Sequence, residues 1–323
     1  MTKPRNSLPW TTIWLACLAS VALGCDADRS GLPPGGRPSM LTPVSEEAAP
    51  AEEPYANPQE LTKHFAGELA RLLKDQKVVS PAELADQEEE AGTCEVETLP
   101  DPGRKLSPEE IYARARPSVV IVGAIVKRGK GHEAHAFCAT GFVVHSDGLI
   151  VTNYHVLTSF RETKALGVMT GDGRVFAVEA VRAADKHNDL VLLKVGARGL
   201  TALPVAAGAP VGAAVYCLSH PVLNAEKTAN GFYTFTSGMV SGKFHAPTVE
   251  KTPVDVLTIT ADYAVGSSGA PVLNEHGAVV AVACQTLPIF HEDSQKDVQM
   301  IWKYCRPSRS LLSLLRASPP KKL

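Results

Sequence analysis

From about Leu106 onward the chain is a succession of short apolar, β-branched runs: SVVIVGAIV, TGFVVH, LIVTNY, RVFAVEAV, DLVLLKV, AAVYCLS, YTFTSGMVSG, DVLTIT and AVVAVAC. Turn signals such as Asp147-Gly148 and Gly171-Asp172-Gly173 separate them. No helical pattern fills the gaps, so these strands must pair with one another. That excludes a βαβ architecture and predicts an all-β sandwich or barrel. The helix LSPEEIYARARPS opens the domain, with Ser107 as its cap and Pro108 in its first turn. The strand-rich domain is expected over residues 106–290, and no repeat of fixed period runs through it.

The rest of the 323 residues surrounds this domain. Residues 1–25 have a basic start at Lys3 and Arg5, an apolar stretch from Trp10 to Gly24 and small residues near its end, which is the pattern of an export signal. A bilayer span needs roughly 20 apolar residues, so a retained transmembrane helix is the weaker reading. The ALGC ending at Cys25 resembles the lipobox of bacterial lipoproteins, although alanine stands where leucine is usual. That resemblance implies a lipid on Cys25 and a protein held at a membrane facing the periplasm or cell surface; ordinary cleavage and secretion is the alternative.

Residues 26–58 are rich in Pro, Gly, Ala and Glu and should form a disordered tether. Over 59–105 an accessory helical segment is expected. Leu61, Phe65, Leu69, Leu72 and Leu73 share one helical face there, and Pro81 follows Ser80 at the start of a second helix. The tail over 291–323 is expected to be helical in parts. A formal net charge of -2 gives no basic field for a nucleic-acid partner.

A serine hydroxyl is a poor nucleophile until a base removes its proton, and that base needs a third group to fix its tautomer and stabilise its charged form. His155 follows a strand in LIVTNYHVL. Asp189 heads the apolar strand in DKHNDLVLLKV, with Asp185 as a rival acid four residues earlier. Ser268 sits in the glycine-framed turn GSSGAP. Together the three predict nucleophilic catalysis; each alone would be a weak signal.

These segments resemble the chymotrypsin-like serine protease superfamily, most closely its bacterial HtrA-type branch. The resemblance runs through TGFVVHSDGLIVTNYHVL, NDLVLLKV, FTSGMVSG and GSSGAPVLNEHGAVVAV, over roughly residues 117–287, in the superfamily's order of His155, Asp189, Ser268. It implies two packed six-stranded antiparallel β-barrels, with His155 and Asp189 from the first and Ser268 from the second. It also implies an oxyanion hole made by the backbone N–H groups of Gly266 and Ser268, with Ser267 as a turn residue.

HtrA-type proteins usually read GNSGGP, so Ser267 and Ala270 depart from the pattern without removing a triad group. The residues after position 287 are too few for the PDZ domain such proteins commonly carry. Asp262, six residues before Ser268, stands where trypsin's own specificity aspartate stands and offers a candidate selector for Lys or Arg in the substrate. An alternative alignment with a gap leaves that role open.

The expected function is an exported serine endopeptidase acting on protein or peptide substrates through an acyl-enzyme, with no cofactor. Activity should rise with pH as His155 deprotonates. The alternative is a catalytically silent binding or regulatory protein on the same fold. An α/β-hydrolase is excluded, because Ala270 occupies the last glycine of its G-x-S-x-G motif and the histidine precedes the serine.

Outside the leader the cysteines are Cys94, Cys138, Cys217, Cys284 and Cys305, an odd set in which at least one thiol stays unpaired in a monomer. HEAHAFC brings His132, His135 and Cys138 close in sequence, but it reads as a loop entering a strand, and no metal site is expected.

Overall fold

The computed structural model describes residues 55–126, 135–223, 230–247, 252–291 and 297–315. The export signal, Cys25, the tether up to residue 54 and His132 lie outside the described residues.

Alternation within the apolar runs sets the architecture. In β1 (Val119–Val126), Val120, Val122 and Ala124 join one buried cluster, while Ile121 and Ile125 join another, the two-residue period of a strand buried on both faces. The first set meets Val143 of β2 (His135–His145), Ile150 of β3 (Leu149–Thr152) and Val168 of β4 (Leu166–Met169). Val178 of β5 (Val175–Asp185) and Val191 and Leu193 of β6 (Leu190–Val195) complete that interior. These strands close into an antiparallel barrel in the order β1-β2-β3-β6-β5-β4.

A second closed barrel runs β10-β11-β12-β9-β8-β7. Its strands are β7 (Ala214–Ser219), β8 (Thr234–Ala246), β9 (Val254–Ile259), β10 (Pro271–Leu273), β11 (Val279–Phe290) and β12 (Val298–Pro307). Val215, Val240, Leu257, Val272, Val280 and Cys305 fill it.

Between the barrels, Phe142, Val151, Leu190 and Leu192 of the first pack with Leu218, Leu273 and Val282 of the second. The helix at Ser308–Leu315 adds Leu311, Leu314 and Leu315 to this layer.

The accessory segment docks on the first barrel. Helix α1 (Pro58–Lys74) is capped by the Asn57 side chain and buries Phe65 and Leu69 against Ile121, Ile125 and Met169. Helix α2 (Pro81–Glu90) follows, and α3 (Pro108–Ala115) begins with a capping box between Ser107 and Glu110.

Strands β4, β10 and β12 are absent from the runs read in the sequence. The first two are short, and β4 contains Gly167. The third corrects the expected helical tail: residues 298–307 are a barrel strand, and helix is confined to Ser308–Leu315. The outer parts of β11 and β12 form a hairpin with little burial on either face, from Leu287↔Trp302 to Phe290↔Val298, so no alternation marks β12 in the sequence.

Candidate active site

Thr152 ends β3, and the chain turns at once into α4 (Tyr154–Ser159), which places His155 in its first turn at the barrel rim. Across the rim, Asp189 occupies the tight turn joining β5 to β6, with a φ of 53°, a left-handed conformation that aspartate tolerates better than most residues. Asn153 holds this turn through Nδ2, which donates to the Asp189 carbonyl at 2.9 Å.

The Asp189 carboxylate is fully engaged. Its Oδ1 accepts the His155 backbone N–H at 2.8 Å, and its Oδ2 accepts from His155 Nδ1 at 2.8 Å and from the Cys284 thiol at 3.0 Å. Burial works to raise the carboxyl's pKa, but the hydrogen bond and charge of His155, with the Cys284 thiol, hold it below the usual aspartate range. Asp185, the rival acid, serves the turn instead: Asn188 donates to its two oxygens at 2.9 and 2.7 Å.

On its other side His155 Nε2 lies 3.0 Å from Ser268 Oγ. With Nδ1–H directed at Asp189, Nε2 is left as an acceptor within reach of the serine hydroxyl, which also lies 3.3 Å from the Cys284 carbonyl oxygen as an alternative acceptor.

The turn bearing Ser268 needs its glycines. Gly266 has a φ of 94°, and a Cβ there would sit 2.5 Å from the His220 carbonyl oxygen. Gly269 has a φ of 86°, and its Cβ would come within 2.2 Å of both Thr140 O and Thr152 Oγ1. Among the described residues no backbone or side-chain acceptor takes the N–H of Gly266 or Ser268. Ser267 is buried and its Oγ donates to Ser219 Oγ at 3.0 Å, a turn-supporting place as expected.

Thr140, fully buried on β2, ties the serine turn to the first barrel. Its N–H donates to Ser268 O at 3.0 Å, its hydroxyl donates to Gly266 O at 2.8 Å, and Thr152 Oγ1 donates to its carbonyl at 2.7 Å.

Two cavities flank His155. One of about 530 Å³ is bordered by Cys138, Val156, Phe160, Val265 and Ser268. The other, about 550 Å³, is bordered by Lys186, Asp189, Cys284, Gln285 and Arg306.

Asp262 borders neither. Its side chain is 85% exposed, with Oδ1 3.3 Å from Lys303 Nζ. This corrects the role offered to it: it faces solvent and is ion-paired, so it does not supply a buried negative charge at the base of a pocket.

Cys94, Cys138, Cys217, Cys284 and Cys305 are all free thiols. Of the HEAHAFC residues only the Cys138 side chain is described; burial pushes its thiol up to about 12. His155, Asp189 and Cys284 bring ligand-type atoms within 4.8 Å of one another, and each is already hydrogen-bonded within the group. Among the described residues no helix is long and apolar enough to cross a membrane.

Cys284, Thr140 and Asn153 escaped the reading of the sequence. None stands in a motif that names a chemistry, and their roles depend on which strands become neighbours.

Two closed six-stranded barrels carrying a hydrogen-bonded Asp–His–Ser set define the chymotrypsin-like class, and residues 139–282 match the family model of the trypsin-like peptidase domain. Proteins similar to this chain include HtrA- and DegP-type proteases. The "Probable periplasmic serine endoprotease DegP-like" of Hahella chejuensis is 32% identical over 164 residues, which covers 49% of this chain and 32% of that protein. "Serine protease HTRA2, mitochondrial" of Bos taurus is 29% identical over 180 residues, covering 54% of this chain and 37% of that protein. The chain thus spans well under half the length of these relatives. The solved structure "HtrA-type protease AlgW with tripeptide" shares the fold with a TM-score of 0.51 at 19% identity, over 65% of this chain and 63% of that one.

Proposed function

We propose that the protein is a serine endopeptidase that hydrolyses peptide bonds through an acyl-enzyme intermediate. The observation that carries this reading is the series Asp189–His155–Ser268, with contacts of 2.8 and 3.0 Å. His155 takes the Ser268 proton as Oγ attacks the carbonyl, then gives it to the leaving amine. Asp189 holds the imidazole's tautomer and stabilises its protonated form. Water then repeats the cycle on the ester.

The N–H groups of Gly266 and Ser268, unclaimed among the described residues, would receive the oxyanion. Such donors are typically worth about 3 kcal/mol each. Peptide is the substrate class because β11 offers an edge beside the nucleophile. On that side the segment from Gly269 through β10 pairs with β11 only as far as Ala283, and from Gln285 to Phe290 the strand's backbone partner among the described residues is β12. An extended chain can add there by backbone hydrogen bonds.

A fluorophosphonate probe tests the reading. Wild type should be labelled at Ser268 and Ser268→Ala should not. A folded wild type that stays unlabelled would favour the silent binding protein instead.

Export and anchoring through Cys25 belong to the same proposal, supported by the sequence of the leader and by the periplasmic name of the DegP-like relative. Radiolabelled palmitate should enter the wild type and not Cys25→Ser. Release of the wild type from membranes by mild washing would count against anchoring.

A further inference from the structure

Arg306 lies next to the proposed chemistry without a carboxylate partner. It follows Cys305 on β12, is half-buried, and borders the 550 Å³ cavity together with His155, Asp189, Cys284 and Gln285. Its Nε is buried and has no hydrogen-bond partner, and no carboxylate among the described residues forms an ion pair with it. The group is permanently charged and stands at the cavity wall beside the Cys284 thiol, so a substrate carboxylate reaching that wall would meet a guanidinium that no ion pair among the described residues already engages.

Asp189 is poorly placed to engage Arg306. Its two oxygens already accept from the His155 N–H, His155 Nδ1 and Cys284 Sγ. The cavity also carries Lys186, whose Nζ stands 5.6 Å from the Tyr154 ring. Cys284 and Gln285 give it a wall on the β11 edge, along which an extended peptide would lie, and side chains of such a peptide alternate between faces.

We propose that Arg306 is a specificity-determining residue, and that its guanidinium receives an acidic side chain, Glu or Asp, from the part of a peptide substrate that runs along Cys284 and Gln285. The fork of donors on a guanidinium matches the two oxygens of a carboxylate, and a site built around such a pair discriminates against the neutral amide. This inference rests on the peptide-substrate reading above and gives it a substrate class.

The test separates recognition from chemistry. Full-length protein carrying Ser268→Ala, immobilised, is offered a random hexapeptide library, and retained peptides are sequenced. The same is done with Arg306→Gln and Arg306→Lys in that background. We expect Glu and Asp to be enriched over Gln and Asn by about tenfold at one peptide position. The enrichment should vanish in Arg306→Gln, persist in weakened form in Arg306→Lys, and shrink in the unsubstituted background as salt rises from 0.05 to about 0.5 M. Equal retention of acids and amides overturns the proposal, as does an acid preference that survives Arg306→Gln unchanged. If Arg306→Gln does not fold, the salt series and Arg306→Lys decide. Cleavage of the same library by protein with Ser268 intact reports on the peptidase reading separately, so either idea can fail while the other stands.

Discussion

Cys284 occupies a place where its chemistry as a nucleophile is suppressed and its value as a hydrogen-bond donor is kept. Burial and the nearby Asp189 charge push its thiol far above the ordinary range, so it stays protonated and donates to Asp189 Oδ2 at 3.0 Å. Cys284→Ala should lower kcat/KM through kcat by roughly fivefold, the equivalent of about 1 kcal/mol, with KM little changed, and Cys284→Ser should restore it. A purely structural role would instead show as a fall in melting temperature without the kcat loss. Asp189 itself predicts a pH dependence of stability. Its folded-state pKa is depressed, so its stabilisation is present above the unfolded value of about 3.9 and is lost as pH falls through the folded value. Melting curves between pH 2 and 6 should show the wild type losing an acid-sensitive increment that Asp189→Asn lacks. At this scale the sequence was informative where residues formed a motif and uninformative where they acted through neighbours. His155 and Ser268 stood in recognisable frames, whereas it takes the structure to see that Asp189 is the carboxylate lying against His155, while Asn188 occupies both Asp185 oxygens inside the turn. Asp262 had the right spacing for a specificity group, but spacing carries no information about the side chain's direction, and Lys303 holds it at the surface.

Among the elements, α1 has the clearest energetic role. Its amphipathic pattern was legible because Phe65 and Leu69 repeat at helical spacing, and both are fully buried against β1 and β4. Phe65→Ala or Leu69→Ala should each destabilise the domain by about 2–5 kcal/mol, read as a lower denaturant midpoint at unchanged slope. A change under about 0.5 kcal/mol would show that α1 is a dispensable appendage. Strands buried on both faces, such as β1 and β6, announced themselves as continuous apolar runs. β12 could not, since its exposed outer half lacks a buried face and its inner half is recognised only through pairing with β11 and β9.

For the whole molecule, closure of both barrels is what brings the proposed groups together. His155 and Asp189 belong to the first barrel and Ser268 to the second, and Thr140 spans the seam with bonds to Gly266 O and Ser268 O. β12 pairs with β9 and β11 to shut the second barrel, and beyond it Ser310 Oγ donates to Asn188 Oδ1 at 2.9 Å, steadying the turn that carries Asp189. A chain truncated after Asp297 should therefore show no fluorophosphonate labelling, although every proposed catalytic side chain is still encoded in it; labelling of that truncation would contradict the dependence.

The same arrangement imposes an order in time. The ribosome makes Ser268 well before β12 and the helix at Ser308–Leu315, so on the proposed reading the nascent chain holds all its reactive groups while still harmless. Hydrolytic competence would appear only once the closing strand has joined its barrel, so a partly made or partly translocated chain would carry the reactive groups without yet being able to use them.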